Sequence, residues 1–148
     1  MKLLLPFLFL GIFVGSCNKE KRQAKKDQKE IENYLKDKGL TAQSTASGLY
    51  YIIDVAGTGT QPNTSSDVTV KYKGYLTTQY VFDESVSTGA TFNLSQVIKG
   101  WQEGIPLFKE GGKGKLFIPS ALGYGDNAKS NIPANSVLIF DVELLDVL

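Results

Sequence analysis

Lys2 is followed by an apolar run from Leu3 to Val14, after which the chain turns abruptly polar. The run is shorter than the roughly 20 residues that cross a bilayer. From Asn18 to Leu40 Lys and Glu dominate, while Ile31, Tyr34 and Leu35 recur at helical spacing and Leu40 follows Gly39. That spacing predicts a charged helix over about Gln23 to Lys38, with Gly39 at its C-terminal cap. Thr41 to Ser47 reads as a polar linker, and the charged stretch before it as a solvated spacer.

From Gly48 onward the pattern is that of strands. Leu49 to Val55 reads as a strand, and Gly57 to Ser66 is a loop of Gly, Pro, Asn, Ser and Thr. Asp67 to Gly74 alternates, with Val68, Val70 and Tyr72 on one face and Thr69, Lys71 and Lys73 on the other. Tyr80–Asp83 and Ala90–Leu94 are short strands. Ser95 to Phe108 predicts a helix with Ser95 as N-cap and a stripe of Val97, Ile98, Trp101, Ile105 and Phe108, ending at Pro106. Lys113–Pro119 and Ser136–Val147 are the last strands. In the second, Leu138, Phe140, Val142 and Leu144 share a face opposite Val137, Ile139, Asp141 and Glu143. The expected fold is α+β: a curved antiparallel sheet wrapped around one short central helix.

Composition narrows the chemistry. The chain has no His, which excludes Ser-His-Asp and Cys-His catalysis and leaves a hydrolase without a base. Its single Cys excludes an internal disulfide and a Cys-rich zinc site. No metal or other cofactor is expected. Residues 18–40 carry eight basic against five acidic side chains, a net of +3, and residues 41–148 carry seven Lys against ten acids, a net of −3. The acidic globular part argues against a nucleic-acid partner.

The apolar run has the length of a signal-peptide core and ends in Val14-Gly15-Ser16-Cys17. This resembles a lipobox, which implies a bacterial lipoprotein acylated on Cys17 after removal of residues 1–16. Residues 17–47 then form the lipidated, charged tether and 48–148 the globular domain. The implied location is the cell envelope, with the lipid bilayer as a partner. Asn18, rather than Asp, after Cys17 agrees with the outer membrane if the cell is Gram-negative.

Several segments, in order, resemble the FKBP-type peptidyl-prolyl isomerases: Val70-Lys71-Tyr72-Lys73-Gly74, Val81-Phe82-Asp83, Phe92-Asn93-Leu94, Val97-Ile98-Lys99-Gly100-Trp101, Gly123-Tyr124-Gly125, Ile132-Pro133 and Leu138 to Leu144. The resemblance covers about Gly48 to Leu148. It implies a proline pocket with Trp101 as floor and Tyr72, Phe82, Phe92 and Phe140 as walls. It also implies Val97 and Ile98 as the rim, Asp83 as the acid beside the pocket, Tyr124 as a ligand hydrogen-bonder and Ile132 on an overhanging loop. Taken singly, Phe92, Phe140, Val97 and Trp101 read equally as core, and Asp83 as a turn or cap residue. One departure is Tyr80 in place of a Gly two residues before Phe82-Asp83, which implies a different bulge at Thr77-Thr78-Gln79.

The implied activity is cis-trans isomerisation of X-Pro bonds in exported polypeptide clients. Implied inhibitors are macrolides such as tacrolimus. Rotating the X-Pro amide breaks resonance against a barrier of about 18–20 kcal/mol and transfers no proton. An aromatic site without His suits it, because a dry pocket favours the less polar twisted amide. The alternative is a non-catalytic, membrane-tethered chaperone or binding module that uses the same pocket.

Overall fold

The computed structural model describes residues 14–148, so the apolar run lies outside the described residues up to its last position. In chain order the elements are helix α1 (Val14–Asp37), strands β1 (Gln43–Ser44), β2 (Tyr50–Val55), β3 (Asp67–Leu76), β4 (Val81–Glu84) and β5 (Ala90–Asn93), helix α2 (Lys99–Gly104), and strands β6 (Lys113–Ile118) and β7 (Leu138–Val147). Single 3-10 turns stand at Leu94–Gln96, Ile105–Leu107 and Ser120–Leu122.

The two longest alternating segments make the centre of the sheet. β3 and β7 pair antiparallel from Val68–Val147 to Leu76–Leu138. The strand order is β1-β2-β6-β7-β3-β4, with β5 also on β3. β4 and β5 take successive stretches of one β3 edge, pairing Lys73–Tyr75 and Asp67–Val70 respectively. The register slips between Gly74 and Tyr75. Leu76 N–H donates to Tyr80 O across the following turn, where Gln79 has φ 72°.

Period-2 alternation sends side chains to opposite faces. Val68, Val70, Leu116, Ile118, Leu138, Phe140, Val142 and Leu144 point to the inner face and meet Trp101, Ile105 and Phe108 from the α2 region. α2 lies close to β6 because two of its residues have no side chain. A Cβ on Gly100 would come within 2.5 Å of Ile118, and one on Gly104 within 2.7 Å of Leu116.

The helix predicted over Ser95–Phe108 is broken. Asn93 Oδ1 accepts from the N–H of Ser95 and caps the first 3-10 turn, so Ser95 is not itself the cap. Val97 (φ −99°, ψ 174°) and Ile98 (φ −56°, ψ 150°) are extended before α2 starts at Lys99. β-branched side chains tolerate that backbone well. Pro106 does end the α-helix, which tightens into the 3-10 turn Ile105–Leu107.

α1 differs from the solvated spacer expected of it. Within the described residues it already runs from Val14, ahead of Gln23, and it lies on the outer face of the sheet. Ile31 and Leu35, fully and almost fully buried, pack with Tyr75, Phe117, Val137 and Ile139. Burying such side chains contributes roughly 1.5–3 kcal/mol each. Polar bonds flank this seam: Tyr50 Oη donates to Glu32 (2.9 Å), Thr77 Oγ1 to Glu30 (2.6 Å) and Gln79 Nε2 to Tyr34 Oη (2.9 Å). The helix ends as predicted at Gly39 (φ 65°), where Leu40 N–H bonds Leu35 O and Gly39 N–H bonds Lys36 O. The expected linker is also held. Gln43–Ser44 pairs with β2, and Thr45 and Ser47 donate to Glu103 on α2 at 2.5–2.7 Å.

Candidate active site

One cavity of about 400 Å³ opens between α2, β3, β4 and the loop that follows β6. Its wall contains every pocket residue predicted from the sequence: Tyr72, Phe82, Asp83, Phe92, Val97, Ile98, Trp101, Tyr124, Ile132 and Phe140. They come from distant parts of the chain. β3 supplies Tyr72, β4 supplies Phe82 and Asp83, β5 supplies Phe92 and β7 supplies Phe140.

Trp101 lies at the base, 4% exposed, and three rings stand edge-on to it. Its centroid is 5.1 Å from Tyr72, 5.5 Å from Phe92 and 5.3 Å from Phe140, with interplanar angles of 80–86°. Edge-to-face packing at these spacings fixes rings more firmly than burial alone. The indole Nε1 is buried and has no hydrogen-bond partner among the described residues.

Phe82 meets Phe140 at 5.5 Å and 84°. Gly74 makes room for that pair, since a Cβ there would lie 2.7 Å from the Phe82 ring and 2.8 Å from Phe140. The glycine that closes the Val70–Gly74 motif is thus part of the aromatic wall.

Two polar groups are set in this apolar frame. Tyr72 Oη donates to Asp83 Oδ2 at 2.8 Å, and the N–H of Glu84 donates to Asp83 Oδ1 at 2.9 Å. Burial, and then the bond to Asp83, push the Tyr72 phenol up to about 12, so it stays neutral. Tyr124 also lines the cavity.

The break at Val97–Ile98 shapes the rim. Gln102 Nε2 donates to Val97 O at 2.8 Å, and Ile98 O accepts from the N–H groups of Trp101 and Gln102. The N–H of Ile98 donates to nothing among the described residues and is free for a ligand carbonyl.

Sequence reasoning did not assign Gln96, Lys129, Ser130 and Asn131, which also line the cavity. Lys129 and Ile132 exchange backbone hydrogen bonds around a tight turn, and the Lys129 ammonium stands 5.5 Å from the Tyr124 ring centroid. The signal for this turn was Ile132-Pro133 alone. Cys17 lies far along the chain from these residues and is exposed on α1.

An open antiparallel sheet over a short helix, with an aromatic pocket floored by Trp, defines the FKBP-like class of α+β fold. Residues 58–145 match the FKBP-type peptidyl-prolyl cis-trans isomerase family, and the chain belongs to it. It is 47% identical over 135 residues to the FKBP-type peptidyl-prolyl cis-trans isomerase FkpA of Aeromonas hydrophila, across 87% of this chain and 50% of that one. The crystal structure of FkpA from Escherichia coli superposes with a TM-score of 0.75 at 41% identity, over 88% of this chain and 63% of the other. A peptidyl-prolyl cis-trans isomerase from Pseudomonas syringae pv. tomato gives a TM-score of 0.74 at 29% identity, over 86% and 94%. The chain spans about half the length of the curated relatives it matches.

Proposed function

We propose that the protein catalyses cis-trans isomerisation of X-Pro bonds in polypeptide clients. The observation that carries this reading is the Trp101-floored cavity, whose free Ile98 N–H sits at its rim. A pyrrolidine ring fits a hydrophobic recess of about 400 Å³ edged by five other aromatic rings. The Ile98 N–H then holds a client carbonyl, and Tyr124 Oη a second acceptor. Water excluded by the rings no longer solvates the planar, charge-separated amide. The twisted amide, with less charge separation, loses little by that exclusion, so the barrier falls. Asp83 and Tyr72 act as a fixed dipole beside the reacting bond and exchange no proton. Macrolides that mimic the twisted prolyl bond occupy the same recess.

The reading extends to place. The Val14-Gly15-Ser16-Cys17 motif and the exposed Cys17 support acylation and an envelope location, with exported proteins as clients. No helix among the described residues is long and apolar enough to cross a membrane.

The full chain, purified in detergent, is assayed with a Leu-Pro-Phe tetrapeptide. It should accelerate exchange equally with and without EDTA, and tacrolimus should inhibit it. Tight tacrolimus binding with no acceleration would leave only a holding function and overturn the catalytic reading.

A further inference from the structure

Asp27 is a carboxylate on a helix that sequence reads as solvated, yet it is 1% exposed. Its partners are neutral. Gln23 Nε2 donates to Oδ1 at 2.7 Å, while Ser120 donates twice to Oδ2, from its backbone N–H at 2.8 Å and its hydroxyl at 2.6 Å. Ser120 lies 93 residues away and opens the turn after β6. A carboxylate is kept buried without a cation only where several donors satisfy it.

The other side of Ser120 faces the pocket loop. Its carbonyl accepts from the N–H of Gly123 at 3.0 Å and from the N–H of Gly125 at 2.8 Å. Those two residues flank Tyr124. Gly125, at φ 59°, adopts the left-handed backbone that lets the chain reverse there, and its own carbonyl accepts from Asn135 at 2.7 Å. Every polar group of Ser120 is therefore engaged, α1 on one side and the Tyr124 loop on the other.

From this relay we infer that Asp27 is a positioning residue for the isomerase site, acting through Ser120 to set Tyr124 at the cavity wall. α1 is then a working part of the site, although none of its residues lines the cavity. The kinetic arm rests on the isomerase reading; the structural arm does not.

The test compares Asp27→Ala, Asp27→Asn and, as a packing control, Ile31→Ala in the full chain in detergent. Ile31 anchors the same helix on the sheet through apolar contact and bonds nothing at Ser120. Amide hydrogen exchange is followed at Gly123 and Gly125, with the β3–β7 amides as an internal standard. Asp27→Ala should speed exchange at both glycines at least tenfold more than at the β3–β7 amides. It should also raise KM for the tetrapeptide at least threefold, with kcat within about twofold. Asp27→Asn, which keeps an acceptor for the Ser120 N–H, should recover most of both effects. Ile31→Ala should lower Tm without singling out those glycines. Unchanged glycine exchange in a folded Asp27→Ala protein would overturn the relay, as would an equal change in Ile31→Ala. Altered exchange with unchanged KM would overturn the link to the site. If the parent chain proves inactive, only the isomerase reading fails and the exchange data still decide the relay.

Discussion

The phenolic oxygen of Tyr72 and the Oδ2 of Asp83 lie 2.8 Å apart, joining neighbouring strands at the mouth of the cavity. The bond orients a ring that also stands edge-on to Trp101 at 5.1 Å. Tyr72→Phe keeps the ring and removes the bond. A hydrogen bond to a charged group contributes about 1.5–3 kcal/mol when sheltered, and the exposed Asp83 lowers that. We expect kcat/KM to fall about tenfold, equivalent to about 1.4 kcal/mol. Asp83→Asn, which retains an acceptor, should lose less. Equal losses would show that a neutral acceptor cannot stand in for the carboxylate in holding the Tyr72 hydroxyl.

Catalysis by shape and desolvation has a pH signature. The chain has no His, and Tyr72 is held neutral up to about 12. The kcat/KM profile should therefore be flat from about pH 6 to 8.5, within twofold, on the tetrapeptide. A slope of one log unit per pH unit inside that window would reveal a proton transfer.

Stability should fall at high pH. Tyr72 is raised by burial and then by Asp83, and Tyr75 is raised by burial and then by the Asp141 carboxylate that its hydroxyl meets at 3.0 Å. In the unfolded chain both phenols titrate near 10. The folded state holds their protons longer, so the stabilisation is complete below pH ~10 and is lost as pH rises through the folded values. Urea midpoints should be level from about pH 7 to 9.5 and fall from there, and the fall should shrink in Tyr75→Phe.

Gly74 is expected to tolerate no side chain. Gly74→Ala would drive its methyl into the Phe82 and Phe140 rings, at a cost of ~1–3 kcal/mol. Because both rings belong to the cavity, tetrapeptide turnover should drop further than Tm implies. Normal kinetics in a merely destabilised Gly74→Ala protein would remove the Phe82–Phe140 pair from the site.

Cys17→Ser should abolish incorporation of labelled palmitate in bacterial cells and move the protein from the membrane to the soluble fraction. Retention on membranes after a high-salt wash would contradict lipid anchoring at this residue.

The sheet was legible because Val68 to Tyr72 alternates without interruption and Phe140 to Leu144 does the same. The cavity was legible because its aromatic residues sit in ordered short motifs. The break before α2 was hidden, since Val97 and Ile98 fit a helical stripe as readily as an extended rim. Docking of α1 was hidden for a different reason. Its buried stripe includes Asp27, Ile31 and Leu35, and a carboxylate on a Lys-rich helix gives no sign that a serine 93 residues away will satisfy it. The two-residue strand Gln43–Ser44 is too short for any periodicity to declare itself.

The unbroken run of α1 from Cys17 to the buried Asp27 decides how an anchored molecule would work. Ten residues of helix measure about 15 Å, whereas the same stretch extended would reach roughly 33–36 Å. A chain acylated at Cys17 would thus carry its cavity on a short, stiff post and not on a leash. Its cavity would then stay nearer the bilayer than an extended tether of the same length would allow.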